Sequence, residues 1–375
     1  MSVFSIKGKG LKLESENDFA SFISDLSEDV EEICLSGNTW SREACEKFAE
    51  LLKNKKNIKR AIMDDIFTGR LKEIVPPSIK AFGNAFEGKN LVSLDLSDNA
   101  FGPSGAEALM GILINNRSIE YLRINNNGLG PQGGKHIAQA LIQAQRKNVE
   151  EGVESRLKTI IIGRNRLENG SMLELGEALS MHKNLVEVCL PQNGIRPEGI
   201  KVLLQNLSKC ENLETLDLQD NTFTESGSFA LSEALPSWPK LEKLNIGDCL
   251  LNKEGCMFVL NSLKKLSTPL VYLNMQYSEL DEEGALLLAS FLESFPKMIT
   301  LMLNGNCFNP EGVAAEAIKS TLERMQKEDI LDSWSDMDYE SELESEGEPS
   351  EEESDSEKER QDDLAKQLNS LNIAK

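Results

Sequence analysis

Residues 91–99 read Leu91-Val-Ser-Leu94-Asp-Leu96-Ser-Asp-Asn99, an L-x-x-L-x-L-x-x-N string. The alternation Leu94-Asp95-Leu96 is that of a short strand with its leucines turned to one side, and the closing asparagine marks a turn. The same register recurs over residues 30–38, 58–66, 119–127, 157–165, 185–193, 213–221, 241–249, 270–278 and 298–306. Successive closing positions lie 28, 33, 28, 38, 28, 28, 28, 29 and 28 residues apart. One match decides nothing, whereas ten in register define a leucine-rich repeat of about 28 residues, long enough to return through a full helix.

The helical half of each unit carries its own marks. Proline stands four residues past the closing position in four repeats (Pro103, Pro131, Pro197, Pro310), where a first helical turn has no use for its missing N–H. Glycine stands six past it in seven repeats (Gly105, Gly133, Gly199, Gly227, Gly255, Gly284, Gly312), as close helix packing requires. Ala106, Leu109 and Leu113 supply an inward face at helical spacing. The expected fold is α/β, a ribonuclease-inhibitor-like horseshoe of parallel strands and convex helices, with repeats over 30–326. No single repeat buries its own core, so stacking is obligatory. Two repeats are longer. The prolines Pro76 and Pro77 come late after Ile66, which puts that insertion in the strand-to-helix loop around residues 68–72. The second falls within residues 145–156, ahead of the next strand. Residues 1–29 are expected to cap the open N-terminal end.

The chain has 375 residues, with 62 acidic and 40 basic side chains and a net charge of −22. Residues 328–363 hold 18 acids against 2 bases, a net of −16, which leaves −22 + 16 = −6 for the rest. Such a balance disfavours nucleic acid and anionic membranes as partners. Residues 327–363 therefore read as a disordered acidic tail, and Leu364, Leu368 and Leu371 allow a short C-terminal helix over 364–375. Neither an apolar signal core nor a membrane-length apolar run is visible, and the seven cysteines are scattered without a CxxC. A soluble intracellular protein with reduced thiols is expected.

Independent chemistry is hard to find. Gly8-Lys-Gly-Leu-Lys-Leu13 is not a phosphate-binding G-x-x-x-x-G-K-[ST] loop. His136 and His182 fall in different repeats, far from any nucleophile system. The closing asparagines (Asn38, Asn99, Asn127, Asn165, Asn193, Asn221, Asn306) read as a structural ladder, broken by Ile66, Cys249 and Ser278. Ile66, unable to form a rung, suggests a turn of different shape. One residue earlier runs a chemically varied row: Gly37, Asp65, Asp98, Asn126, Arg164, Gln192, Asp220, Asp248, Tyr277 and Gly305. These positions edge the strand-to-helix rim with no packing duty, and beside Arg70, Lys72 and Arg166 they read as a protein-binding surface.

The strings DIFTGR (65–70), LSDNAFGP (96–103), NNGLGPQ (126–132), GRNRLENGSM (163–172), QNGIRPEGI (192–200) and LDLQDNTFT (216–224) closely resemble the Ran GTPase-activating proteins. The likeness covers the whole repeat region and extends to the acidic tail. The resemblance is to the shorter, fungal-type form, and the additional C-terminal domain of vertebrate members is not expected. The resemblance implies an activator that binds Ran-GTP through the strand-to-helix rim and works without an arginine finger. By motif position, Asn126 would orient Ran's own glutamine. A carboxamide suits that role because it donates and accepts without adding charge beside the phosphate. Arg70 and Arg166 match charged positions important for the Ran interaction and are assigned to binding and loop orientation, with direct catalytic contact as the alternative. Asp65, Asp98, Asp220 and Lys72 are assigned to Ran contacts by charge.

No cofactor of its own is implied, since Ran carries the GTP and magnesium. The family setting adds a monomer in the cytoplasm or near the nuclear envelope, a ternary complex with Ran-binding proteins, and service to nucleocytoplasmic transport. The competing reading is a non-catalytic repeat scaffold or inhibitor for a basic protein. Against it, concave positions such as Ser93, Asp95, Thr159, Thr215 and Asp217 lack the aromatic richness of a tight-binding surface.

Overall fold

The computed structural model describes residues 2–339. Among these residues lie thirteen strands, alternating with helices from β5 onward: β1 (Val3–Ser5), β2 (Lys12–Leu13), β3 (Glu32–Cys34), β4 (Thr39–Trp40), β5 (Arg60–Ile62), β6 (Ser93–Asp95), β7 (Tyr121–Arg123), β8 (Thr159–Ile161), β9 (Glu187–Cys189), β10 (Thr215–Asp217), β11 (Lys243–Asn245), β12 (Tyr272–Asn274) and β13 (Thr300–Met302). The helices are α1 (Ala20–Ile23), α2 (Arg42–Lys53), α3 (Val75–Phe86), α4 (Gly102–Asn115), α5 (Gly130–Glu150), α6 (Met172–Met181), α7 (Pro197–Leu207), α8 (Thr224–Ala234), α9 (Asn252–Leu263), α10 (Glu282–Phe291) and α11 (Val313–Met325). Eleven strands form one parallel sheet in chain order, with β2 and β4 paired apart from it. Parallel order without crossovers is what a solenoid dictates, because each helix returns the chain to the start of the next rung.

Register follows the leucine pattern. Leu94, Leu122, Ile160, Val188, Leu216, Leu244, Leu273 and Leu301 lie opposite one another along the sheet. Each is fully buried, and burying one such side chain stabilises by about 1.5–3 kcal/mol. The glycines of the helical half do what their spacing suggests. A Cβ on Gly133 would stand 2.9 Å from Leu129 and 3.4 Å from Ala106, and one on Gly255 only 2.6 Å from Ser228 Oγ of the preceding helix. Pro103, Pro131 and Pro197 occupy first helical turns, whereas Pro310 precedes α11 in a turn.

From Asn99 to Asn221 the asparagine ladder is a continuous hydrogen-bonded spine. Asn127 Nδ2 donates to Leu96 O (3.0 Å) and Asn125 O (2.9 Å), while its Oδ1 accepts from Asn99 N (2.9 Å). Asn165 Oδ1 in turn accepts from Asn127 N at 2.9 Å. The expected different turn at Ile66 is corrected: its backbone N–H still donates to Asn99 Oδ1 at 2.8 Å, so the turn survives and only the side-chain rung is lost. Cys249 keeps a weaker rung, its thiol reaching Leu218 O at 3.2 Å.

Both ends differ from a simple reading. At the N-terminus β1 pairs with β3, Phe4 facing Ile33, so the sheet begins one strand before the first repeat. Phe4, Phe19, Trp40 and Phe48 interlock there, with ring centroids 5.1–5.8 Å apart. At the C-terminus the expected disorder from residue 327 does not hold for residues 327–339. Asp332 accepts from Leu303 N (2.9 Å) and Asn304 N (3.0 Å), and Trp334 stands edge-on to Phe308 with centroids 5.1 Å apart. A charge count passes over these two residues, of which Asp332 satisfies the N–H groups just past the last strand and Trp334 covers Phe308. The remaining acidic run and the expected helix at 364–375 lie outside the described residues. Among those described, no helix is long and apolar enough to cross a membrane, and no His/Cys/Asp/Glu group is placed to hold a metal ion. The seven cysteines are free thiols.

Candidate functional site on the strand-to-helix rim

The row preceding the ladder shares one conformation. Gly37, Asp65, Asp98, Asn126, Arg164, Gln192, Asp220, Asp248, Tyr277 and Gly305 all have φ between 48° and 72°. Glycine, asparagine and aspartate tolerate this left-handed region best, and they fill seven of the ten places. The turn that lets each ladder side chain face inward forces its predecessor into this geometry and points it outward. Backbone demand thus accounts for much of the acidity of the row. Arg164, Gln192 and Tyr277 are the exceptions, which the backbone alone does not favour.

Asn126 stands near the middle of the row and is exposed, whereas Asn127 is fully buried. Its N–H is held by Gly163 O at 2.9 Å and its Nδ2 donates to Asp98 Oδ1 at 2.8 Å. Oδ1 has no partner among the described residues. Arg166 follows Arg164 by two residues, and Glu168 follows Arg166 by two. All three are exposed and left-handed, with φ of 56°, 54° and 50°. In the two preceding repeats glycines fill the last of these positions, Gly102 and Gly130. Ala100, Thr224, Leu250, Asn252 and Glu279 also take positive φ at equivalent positions, so the conformation belongs to the repeat, and loop 164–168 differs in the charged side chains it displays there.

Arg70 is placed differently from a rim contact. Its side chain is 12% exposed, with Nη1 on both Glu14 oxygens at 2.9 Å and Nη2 on Thr39 O at 3.1 Å and Leu13 O at 3.3 Å. It ties the enlarged loop to the N-terminal cap, and its hydrogen bonds hold the Glu14 carboxyl below the usual carboxylate range. Lys72 is exposed at the start of a short 3-10 turn in that same loop. Asp65 accepts from Thr68 Oγ1, which stiffens the loop from its other side. Asp220 lies half-buried further along the row. Tyr277 is tied down, its hydroxyl donating to Asp336 of the C-terminal segment at 3.0 Å. With rungs about 4.8 Å apart, Asp65 to Asp220 spans roughly 25 Å, a width suited to a protein surface. On the strands beside the row, burial raises the carboxyls of Asp95 and Asp217.

A leucine-rich repeat family model matches residues 89–110, 115–138 and 209–232. Ran GTPase-activating protein 1 of Saccharomyces cerevisiae is 34% identical over 340 residues, covering 86% of this chain and 83% of the yeast protein. The chain belongs to the Ran GTPase-activating protein family. Ran GTPase-activating protein 1 of Xenopus laevis is 37% identical over 88% of this chain, and the Drosophila melanogaster Ran GTPase-activating protein 30% identical over 90%. This chain spans only 58% and 60% of those two animal proteins.

For a member of the Ran GTPase-activating protein family, sequence reasoning missed three things about the rim: its left-handed backbone, the Asp98–Asn126 hydrogen bond, and the inward turn of Arg70. The first had a signal in the recurrence of Gly, Asp and Asn one residue before the ladder. The second had one too, since Asp98 and Asn126 are 28 residues apart and so occupy equivalent positions on adjacent rungs. Glu14 lies 56 residues from Arg70 in a segment without the repeat pattern, and no local signal joins them.

Proposed function

We propose that this protein activates GTP hydrolysis by the small GTPase Ran, receiving Ran-GTP along the rim from Asp65 to Asp220. Ran supplies the nucleotide, the magnesium and the glutamine that holds the attacking water. This chain supplies order. Asn126 presents its carboxamide to that glutamine and fixes its direction. Activators of small GTPases raise hydrolysis by about 10³–10⁵, and orientation together with exclusion of water provides a large part of such factors.

One observation carries the reading: an exposed carboxamide stands in the middle of a rim whose backbone is clamped rung by rung, in a chain of this family. Arg70 is engaged with Glu14, Leu13 and Thr39, so its part is to hold the loop rather than to enter the reaction as a finger. Arg164, Arg166 and Lys72 meet the GTPase surface. The activity belongs to the cytoplasm and serves transport between nucleus and cytoplasm.

The test is GTP hydrolysis on Ran with the protein at one-hundredth of the Ran concentration, with Ras-type and Rab-type GTPases as controls. Many turnovers per molecule on Ran alone are expected. Binding of Ran-GTP without turnover would instead make the protein a sequestering scaffold.

A further inference from the structure

Asp98 and Asn126 share more than a neighbourhood. Both are exposed, and both are clamped in the left-handed conformation, with φ of 59° and 49°. Asp98 N donates to Asn125 O, and Asn126 N to Gly163 O, each at 2.9 Å, so the two backbones cannot drift apart. Among the described residues theirs is the one side-chain hydrogen bond joining adjacent members of the row, Asn126 Nδ2 donating to Asp98 Oδ1 at 2.8 Å. Every other adjacent pair, acid beside acid at Asp65 and Asp98 or at Asp220 and Asp248, lacks one.

Chemistry fixes the sense of that bond. A carboxylate only accepts, so the amide must turn its nitrogen toward Asp98 and its oxygen away. We infer that Asp98 is a positioning residue that latches Asn126 with its Oδ1 outward, making the rim an acceptor and not a donor at its functional centre. The inference rests on the activator reading above. An outward Oδ1 takes an N–H from the GTPase glutamine, and that glutamine's own carbonyl oxygen then faces the other way, free to accept from the attacking water. The path from Asp98 through Asn126 and the partner's glutamine to water is a chain of hydrogen bonds running in one direction. Asp98 is thereby reassigned: its carboxylate serves Asn126 and not a cation on the partner.

Asp98→Gly is the informative substitution, because glycine adopts this φ without strain and removes only the latch. In single-turnover hydrolysis on Ran-GTP, the rate at saturating activator should fall about tenfold, the worth of one hydrogen bond to a charged group, while the half-saturating concentration stays within about twofold. Asp98→Asn should restore most of the rate, since its Oδ1 accepts the same bond and asparagine tolerates the conformation. The double variant D98G/N126G should be no slower than N126G. Independently of turnover, the side-chain amide resonances of Asn126 should shift in D98G.

A raised half-saturating concentration with an intact saturating rate would make Asp98 a direct partner contact and overturn the proposal. So would additive losses in the double variant, or Asn126 amide signals indifferent to D98G. If N126G itself leaves the rate unchanged, the assignment of Asn126 fails and the latch fails with it. The expected large loss in N126G with none in D98G removes the latch alone.

Discussion

The buried ladder and the exposed row lie one residue apart along ten repeats, yet they obey different constraints. A ladder side chain must fill a dry turn with one acceptor and two donor directions, and seven of the ten positions answer with asparagine. A row residue must only tolerate positive φ, and the answers range over Gly, Asp, Asn, Arg, Gln and Tyr. Asn126 and Asn127 are the same amino acid under these two regimes. Where hydrogen bonding in a waterless turn decides, identity is uniform and serves stability. Where backbone geometry alone decides, identity is left over for recognition. Stability and function should therefore come apart under substitutions at neighbouring residues.

The widest separation is expected at Asn126. Removing one well-placed orienting group from a reaction centre typically costs 10²–10³ in rate. Asn126→Gly should lower the saturating single-turnover rate on Ran-GTP by about a hundredfold or more and leave thermal melting where it was. Alanine is the poorer choice, since it keeps the Cβ at this φ of 49° while losing the short polar side chain that makes asparagine tolerant of it, a cost of about 1 kcal/mol that blurs the contrast. A rate within threefold of wild type would remove Asn126 from the mechanism.

The interior can also be loosened far from the row. His182 is buried, and its Nε2 lies 3.2 Å from Leu141 O, which can only accept, so Nδ1 at 2.6 Å accepts from Ser155 Oγ. Burial pushes its pKa down from 6.5 to about 4. Below pH 6.5 the unfolded chain takes up a proton that the folded one refuses. Stability is thus complete above 6.5 and lost as pH falls toward 4, by about 3 kcal/mol in all. Chemical denaturation across this window should show that slope, and His182→Gln should flatten it between pH 6.5 and 4.5. An unaltered slope in the variant would assign the acid sensitivity to other groups.

Asn127→Ala should cost about 2–3 kcal/mol, since it deletes three hydrogen bonds and strands the Asn99 N–H in a buried turn. Denaturant midpoints check the loss, and the saturating rate of the folded fraction should persist. Equal effects of N126G and N127A on both stability and rate would collapse the distinction between ladder and row.

Much of this was legible because the repeat is a period, and a period turns local patterns into spatial ones. The strand leucines, the ladder and the two insertions could be placed from spacing alone. Asn126 was reached through the family motif, with its exposure predictable from its place before the ladder. What could not be read were contacts between segments of unequal character. Arg70 meets Glu14 across the cap, where no repeat counts the residues, and Asp332 and Trp334 seal the last rung from within a run that composition marks as solvated. The left-handed row lay between these cases. Its Gly/Asp/Asn bias was visible but was read as surface chemistry, because aspartate serves both backbone and binding.

Arg164 offers the subtlest test, because the comparison predicts opposite signs there. Its φ of 56° is one that a long L-side chain occupies at a cost of about 1 kcal/mol, and among the described residues Arg164, which is exposed, makes no side-chain hydrogen bond or ion pair that would offset it. Arg164→Gly should therefore raise stability slightly, by about 0.5–1 kcal/mol, and raise the half-saturating concentration for Ran-GTP several-fold. Asp248→Gly serves as the control, since aspartate already suits its φ of 55° and smaller changes are expected. A gain in melting temperature paired with weaker activation would identify Arg164 as a residue retained against the fold's own preference. A loss of stability on substitution would mean that the guanidinium helps hold the loop, and would move Arg164 from the row's logic to that of Arg70.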